Sequence, residues 1–232
     1  MAKTKTNKHT RTKNRLISKL APKSPITEQY RNIRTNIQYS SVDADLRSIT
    51  VTSTAPGEGK TTTISNLAVV FAQQGKKVLL VDADLRRPQV HFVYQLPNTL
   101  GLTNVLTKQV ELVDAIRETD IPELFILTSG PIPPNPAELL GSTSMDHFIA
   151  EAYKHFDLIL FDAPPILAVS DAHVMANQTD GSLLVISSGT TDREAAVKAK
   201  EILTNAKSKL LGAILNNKPE DKNLNYYYYG KR

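Results

Sequence analysis

The chain has 232 residues, of which 41% are hydrophobic and 22% charged, and this length suits one domain of roughly 200 residues with tails. It has no cysteine and no tryptophan, which excludes disulfides and metal sites with Cys ligands and fits a reducing compartment. No apolar run approaches the roughly 18 residues that span a bilayer. The composition by itself therefore predicts a cytoplasmic protein.

The formal net charge of +5 is unevenly distributed. Residues 1–23 contain eight of the 28 basic residues and no acidic residue. The rest of the chain has 20 basic and 23 acidic residues. The body of the chain is therefore mildly acidic and is not a uniformly basic nucleic-acid-binding fold. Residues 1–24 show no hydrophobic period, and we predict a flexible basic arm there, which serves solubility or contact with an anionic membrane.

An amphipathic helix is predicted over residues 25–40, where Ile26, Tyr30, Ile33 and Ile37 recur at close to the helical period. Beyond it, short runs rich in Val, Ile and Leu alternate with segments of helix length, and such runs are typical of strands covered on both faces. The predicted strands are Ser48–Ser53, Lys77–Asp82, Leu124–Thr128, Leu158–Asp162, Leu183–Ser187 and Leu211–Asn216. The predicted helices are Lys60–Gln74, Leu112–Thr119, Met145–His155, Asp171–Asn177 and Arg193–Ser208.

This alternation predicts a single α/β domain over residues 25–217, with a mostly parallel sheet flanked by helices and a ligand at the carboxyl ends of the strands. Residues 218–232 have no period and are predicted to be a flexible tail. Four of the eight tyrosines are consecutive in this tail, namely Tyr226, Tyr227, Tyr228 and Tyr229. Packing in a core gives no reason for such a cluster.

A phosphate-binding loop of Walker A type is predicted between the first strand and the helix that begins at Lys60. Gly57 and Gly59 allow backbone amides to surround a phosphate, and the helix N-terminus adds its dipole. Thr54 stands where the generic P-loop pattern has glycine. The residues predicted to bind ATP in this loop are Pro56, Gly57, Glu58, Gly59, Lys60, Thr61 and Thr62, with the hydroxyl of Thr61 also on Mg²⁺.

Three aspartates follow two of the other predicted strands. Asp82 and Asp84 come at the end of the second strand, and Asp162 ends the fourth in the form of a Walker B strand. Carboxylates at these places can hold magnesium or accept a proton from an attacking hydroxyl. Asn216, at the end of the last strand, is a candidate for hydrogen bonding to a purine, although a turn-forming Asn pair explains it equally well.

These motifs resemble those of the bacterial tyrosine kinases of capsule and exopolysaccharide biosynthesis, in the Mrp/MinD-like branch of P-loop ATPases. The resemblance extends from the residue-25 helix to the tail, and residues 55–61, 81–88, 128–140, 161–165 and 226–229 carry it. Partition and cell-division ATPases of this branch have an extra lysine early in the loop, where this chain has Ala55. That difference argues against such an ATPase.

The resemblance implies a P-loop kinase fold and ATP- and Mg²⁺-dependent autophosphorylation by a neighbouring subunit. It implies that Lys60, Asp82 and Asp84 are catalytic and that Thr61, Asp82 and Asp162 form the magnesium site. Spacing does not decide whether Asp82 or Asp84 acts as the base. The implied phosphorylation sites are Tyr226, Tyr227, Tyr228 and Tyr229. Residues that match a motif for subunit contact in a homo-oligomeric ring are Glu28, Arg31 and Arg34, although an intrahelical Glu–Arg pair is the alternative.

Single-domain members of this family resemble the kinase half of a two-protein system. The expected partners are a transmembrane chain-length regulator, whose cytoplasmic tail completes the nucleotide site, other tyrosine-containing proteins as substrates and a cognate phosphotyrosine phosphatase. The expected location is the inner face of the cell membrane, and no nucleic acid is expected. The alternatives are a MinD/ParA-like positioning ATPase without tyrosine transfer, a nucleotide-controlled regulator without catalysis, and an adhesive role for the tyrosines.

Overall fold

The observed elements follow the predicted alternation of strands and helices. A computed structural model of the chain describes residues 16–40 and 46–219. In chain order its elements are α1 (Ile17–Leu20), α2 (Pro25–Tyr39), β1 (Ser48–Ser53), α3 (Lys60–Ala72), β2 (Val78–Asp82), α4 (Val90–Tyr94), α5 (Leu102–Leu106), α6 (Leu112–Ala115), β3 (Arg117–Glu118), β4 (Leu124–Leu127), α7 (Pro136–Leu140), α8 (Thr143–Ala152), β5 (Leu158–Asp162), α9 (Asp171–Ala176), β6 (Gly181–Ser187), α10 (Arg193–Thr204) and β7 (Lys209–Asn216).

The strands of the described chain form one seven-stranded sheet in the order β3-β4-β2-β5-β1-β6-β7. Every neighbouring pair is parallel except β3 and β4. All residues of β1, β2 and β5 are buried. The apolar runs of β2 and β5 are typical of strands covered on both faces, whereas β1 alternates Ile and Val with buried Ser and Thr. This arrangement confirms the predicted α/β fold class.

Helices cover both faces of the sheet. Successive strand residues point to opposite faces, and in β2 the residues on both faces are apolar and buried. Leu80 packs in the cluster that includes Leu67 of α3 and Ile37 of α2. Leu79, its neighbour in β2, packs in the cluster that includes Phe148 of α8. The carboxyl ends of β1, β2 and β5 therefore meet between two covered faces, at one edge of the sheet.

The prediction of one helix over Leu112–Thr119 is wrong. Helix α6 ends after Ala115, and Ile116 has extended backbone angles. Arg117 and Glu118 then pair antiparallel with Ile126 and Phe125 of β4. Pairing with β4 overrides the local helical pattern. The outer edge of β4 has backbone N–H and C=O groups that need partners, and the strand of Arg117 and Glu118 supplies them. Helices α4, α5 and α7 are further elements that the sequence analysis did not predict.

The boundary of the flexible arm also needs correction, because residues 16–24 belong to the fold. Ser18, in α1, is fully buried, and its backbone amide donates to Asn66 Oδ1 of α3 at 2.9 Å. Gln73 Nε2 donates back to the carbonyl of Ser18 at 3.2 Å. The predicted arm can therefore include only residues 1–15, which lie outside the described residues, as do residues 220–232 of the tail.

Candidate functional site

The loop between β1 and α3 has the geometry that a phosphate-binding loop needs. Gly57 and Gly59 have φ angles of 87° and 93°, a region that residues with a side chain disfavour. Gly59 is the N-cap of α3 and has no side chain with which to cap it. The amides of the first helical turn are therefore available to a phosphate oxygen, and Pro56 and Gly57 lie exposed at the rim.

The buried side chain of Glu58 braces this loop from inside. Its Oε2 accepts the backbone amides of Thr54 and Ala55 at 2.7 and 3.1 Å. Its Oε1 accepts the Thr54 hydroxyl at 2.5 Å and also the hydroxyl of Thr191, which follows β6. The departure of Thr54 from the P-loop pattern is thereby explained, because its hydroxyl bonds the same carboxylate. Only the backbone of Glu58 is left to contact a nucleotide.

We expect Glu58→Ala to raise the Kd for ATP about tenfold, because four donors would lose their acceptor and the loop would lose its brace. Glu58→Gln is the matched control. Its oxygen can keep the two amides, while its NH₂ faces two hydroxyls that can rotate to accept it, so we expect a change of less than about threefold. Calorimetric titration with ATP measures both. Equal losses in the two variants would contradict the proposed brace.

Lys60 joins the carboxylates that the sequence placed on two different strands. Its Nζ lies 3.1 Å from Asp84 Oδ2 and 3.3 Å from Asp162 Oδ1. Burial opposes the charge of Lys60, but attraction to Asp162 and Asp84 outweighs it and raises the pKa of the ammonium. A nucleotide phosphate approaching the loop would meet this ammonium at the N-terminus of α3.

Asp82 is fully buried and holds the chain that follows β2. Its Oδ2 accepts the amides of Gln89 and Val90, each at 2.9 Å, and its Oδ1 accepts the amide of Asp84 at 3.3 Å. Burial, together with repulsion from Asp162, raises the pKa of Asp82 to about 8. One ammonium, Lys60, thus faces three buried carboxyls and contacts two of them, Asp84 and Asp162, directly.

The side chains of Thr61 and Asp162 suit a magnesium ion. Thr61 Oγ1 donates to Asp162 Oδ2 at 2.6 Å, which leaves the lone pairs of the hydroxyl available to a hard cation. Burial raises the pKa of Asp162, and Lys60 and Thr61 offset part of that rise. No group of three or more acidic, His or Cys side chains among the described residues can hold a metal, so Mg²⁺ would also need phosphate and water ligands.

An ion pair that the sequence pattern did not reveal joins the loop after β2 to the start of α9. Arg86 donates from Nε to Asp171 Oδ2 at 2.8 Å and from its terminal nitrogen to Oδ1 at 3.1 Å. Asp171 is fully buried in the first turn of α9, whereas the Arg86 side chain is 43% exposed. This bidentate contact fixes the segment that carries Asp84. In sequence, Asp171 resembles an ordinary acidic residue at a helix start, so only the contact reveals it.

Asn216 contacts the P-loop directly. Its Nδ2 donates to the carbonyl of Glu58 at 2.9 Å, and a Cβ on Gly59 would lie 2.1 Å from that nitrogen. Asn217 Nδ2 donates to Ser187 Oγ at 3.0 Å. One N–H of the Asn216 side chain is therefore engaged, and recognition of a purine by its second N–H or its oxygen stays a prediction.

The three residues predicted for subunit contact divide into two groups on α2. Arg31 donates to Glu28 Oε2 at 2.9 Å and to the carbonyl of Pro22, which is the intrahelical pair of the alternative interpretation. Arg34 donates to the carbonyl of Val70 in α3 at 2.7 Å, and its pKa is lowered by burial and by Arg31. A role in a ring stays a prediction for all three.

The four tyrosines predicted as phosphorylation sites are not brought to the site by the described part of the chain, which ends at residue 219. Tyr226, Tyr227, Tyr228 and Tyr229 all lie outside the described residues. The structure therefore neither confirms nor corrects their assignment, and phosphorylation at each of the four stays a prediction.

Comparison with known proteins identifies the family. A family model described as an AAA domain matches residues 46–192. The chain is 55% identical over 226 residues to the tyrosine-protein kinase YwqD of Bacillus subtilis (strain 168), a match that covers 97% of this chain and 95% of that protein. The chain belongs to the bacterial tyrosine-protein kinases. This finding confirms the predicted family and the predicted class of enzyme.

Solved structures agree with this assignment. The crystal structure of the chimerical protein CapA2B2 matches with a TM-score of 0.86 and 40% identity, over 89% of this chain and 91% of that one. The septum site-determining protein MinD of Pyrococcus horikoshii OT3, complexed with Mg-ADP, matches with a TM-score of 0.63 and 28% identity, over 73% of this chain and 69% of that one. The P-loop nucleotide-binding class is thereby confirmed.

A membrane-spanning helix is absent from the described part of this kinase. No helix among the described residues is both long and apolar enough to cross a bilayer. The longest of these helices, α2, has 15 residues.

Proposed function

We propose that this kinase transfers the γ-phosphoryl group of ATP to the tail tyrosines of a neighbouring copy, Tyr226, Tyr227, Tyr228 and Tyr229. The observation that carries the proposal is the contact of Lys60 with Asp84 and Asp162 at the open N-terminus of α3. Catalysis of phosphoryl transfer needs positioned positive charge and a metal-holding carboxylate more than it needs covalent chemistry. In this proposal Lys60, which follows β1, supplies the charge, and Asp162 of the neighbouring strand β5 supplies the carboxylate.

Each residue of the site has a role in this proposal. The loop amides and Lys60 bind the β- and γ-phosphates. Thr61 and Asp162 would hold Mg²⁺, which would supply charge neutralisation to the phosphates. Asp82 fixes the loop after β2 and would belong to the magnesium site. Either Asp82 or Asp84 accepts the proton of the attacking tyrosine hydroxyl. Asn216 lies on the side of the loop where β7 ends, and we assign the purine to that side.

The wider assignments extend from the family resemblance. We propose that copies assemble in a ring through the α2 residues Glu28, Arg31 and Arg34, and that a transmembrane activator completes the nucleotide site at the inner face of the membrane. Each phosphotyrosine would add a charge of about −1.5 to −2, which repels neighbouring tails and favours disassembly. The output is regulation of capsule or exopolysaccharide synthesis and export, with further tyrosine-containing substrates and a phosphatase as partners.

Phosphosite mapping by mass spectrometry, after incubation with ATP, Mg²⁺ and the activator's cytoplasmic tail, tests the proposal. We expect phosphate on Tyr226–Tyr229, and loss of labelling when all four are phenylalanine. The phenylalanine variant should bind ATP as wild type does. Unlabelled tyrosines together with steady release of inorganic phosphate would instead indicate a positioning ATPase.

A further inference from the structure

Asp171 is a buried carboxylate to which the proposed reaction assigns no role. It is fully buried at the first position of α9, and both of its oxygens accept N–H groups of Arg86. A buried charge is costly unless it is paired, and a buried ion pair is often no more stabilising than apolar residues of similar volume. Stability alone therefore gives little reason for this pair.

Arg86 lies in the short segment that carries Asp84 away from β2. Asp84 accepts the backbone amide of Arg87 at 3.0 Å through Oδ1 and contacts Lys60 through Oδ2. The hydrogen bonds to Asp171 are the largest cause of a raised pKa of the Arg86 guanidinium, and attraction from Asp84 adds to it. The backbone that positions the Asp84 carboxylate is thus next to the residue that the ion pair fixes.

The ion pair also links the two strands whose ends carry the aspartates of the site. Arg86 follows the end of β2 by four residues, and Asp171 follows the end of β5 by nine. The last residues of these strands, Asp82 and Asp162, are paired neighbours in the sheet. The contact therefore ties the segment of Asp84 to the chain that continues from Asp162.

The segment of Asp84 loses another contact when a nucleotide binds. In the free protein Lys60 Nζ lies 3.1 Å from Asp84 Oδ2. In the proposed function the same ammonium binds the β- and γ-phosphates, which carry more negative charge than one carboxylate and compete for it. Arg86 is held by a separate carboxylate, so its contact with Asp171 can persist when Lys60 turns to the phosphates.

We propose that Asp171 is a positioning residue that acts through Arg86 and keeps Asp84 in place for phosphoryl transfer once the phosphates bind Lys60. The inference rests on the proposed function, because it assumes that Asp84 takes part in the transfer. Asp171 acts without touching the nucleotide, so its contribution should appear in kcat and not in the KM for ATP. Misplacing a reacting group by about 1 Å can lower a rate up to about a hundredfold.

Asp171→Leu removes the carboxylate and leaves an apolar side chain of similar size in its place. The Arg86 side chain is 43% exposed and can be solvated, so we expect the Tm to change by less than about 3 °C. We expect kcat to fall about tenfold, while the KM for ATP changes by less than about twofold. A coupled assay of ADP release gives both constants, and circular dichroism gives the Tm.

The double variant Arg86→Met/Asp171→Leu tests whether the carboxylate acts through the arginine. Its kcat should equal that of Asp171→Leu, because the second substitution removes a contact that is already lost. Losses that multiply from the single variants Arg86→Met and Asp171→Leu to the double variant would overturn the proposal. So would a wild-type kcat in Asp171→Leu, or a loss that appears only in the KM for ATP.

Asp120→Leu is the matched control, because it makes the same substitution in another ion pair. Asp120 contacts Lys19 and its side chain is 73% exposed, so kcat and the KM for ATP should keep their wild-type values. Wild-type protein that releases ADP without labelling any tyrosine would overturn the proposed tyrosine transfer alone. The comparison of variants by ADP release would still report whether Asp171 positions Asp84.

Discussion

Lys60→Met is expected to abolish labelling of the tail and also to destabilise the nucleotide-free protein. Loss of the ammonium removes charge that the transferred phosphate needs, and we expect the rate to fall at least about a hundredfold. In the free protein the same ammonium contacts Asp84 and Asp162, with its side chain 11% exposed. Removing one partner of such a buried ion pair costs about 3 kcal/mol, which lowers the Tm by roughly 6–12 °C.

The double variant Lys60→Met/Asp84→Asn separates the two effects. It neutralises Asp84, one of the two carboxylates that lose their counter-ion in Lys60→Met. Thermal unfolding followed by circular dichroism should therefore show a smaller decrease in Tm than in the single variant. Labelling should stay abolished, because the positive charge is still missing. If Lys60→Met melted at the wild-type temperature, the observed ion pairs would contribute nothing to stability and the electrostatic interpretation would fail.

Asp82→Asn is expected to have opposite effects on stability and on activity. Asparagine keeps the shape of the side chain, and its oxygen can still accept the amides of Gln89 and Val90. It also removes a buried charge that Asp162 repels. We therefore expect labelling to be lost while the nucleotide-free protein becomes more stable, as is common when a functional group is neutralised.

The pH dependence of this gain follows from the raised pKa of Asp82. The value of about 8 in the folded protein exceeds the ordinary 3.8, so the stability from the protonated carboxyl is fully present below about pH 4 and is lost as the pH rises to about 8. Attraction from Lys60 and repulsion from Asp84 and Asp162 act on the same group. The variant has no such loss.

Melting curves without nucleotide at pH 5 and pH 8 check this result. We expect the Tm of Asp82→Asn to exceed that of wild type by on the order of 5 °C at pH 8, and by clearly less at pH 5. The control variant is Asp114→Asn, at an exposed position. Its Tm should be nearly the same as that of wild type at pH 5 and at pH 8. A gain that is the same at both pH values, or larger at pH 5, would rule out burial of the Asp82 charge as the cause.

The sequence predicted the fold well where its local signals agreed with each other. Strands β1 and β5 have the predicted bounds, and α3 begins at the predicted Lys60. The β-branched residues of β1, the apolar run of β5 and the glycine-rich turn before α3 each favour the structure that burial also favours. Residues 16–24 are predicted as part of the arm because α1 is a single turn, too short to have a period of its own. Contacts with Asn66 of α3 and with Gln73, just after α3, hold it in place.

By itself, the sequence determined that the P-loop and the aspartates lie at one edge of the sheet, because parallel strands that carry them end on the same side. Only the tertiary structure decided which of those groups contact each other. Lys60 contacts Asp84 and Asp162, Asp82 holds the loop after β2, and Glu58 turns inward to Thr54. Such pairings depend on strand order and on distances of a few ångströms across the sheet, and residue spacing along one chain does not specify them.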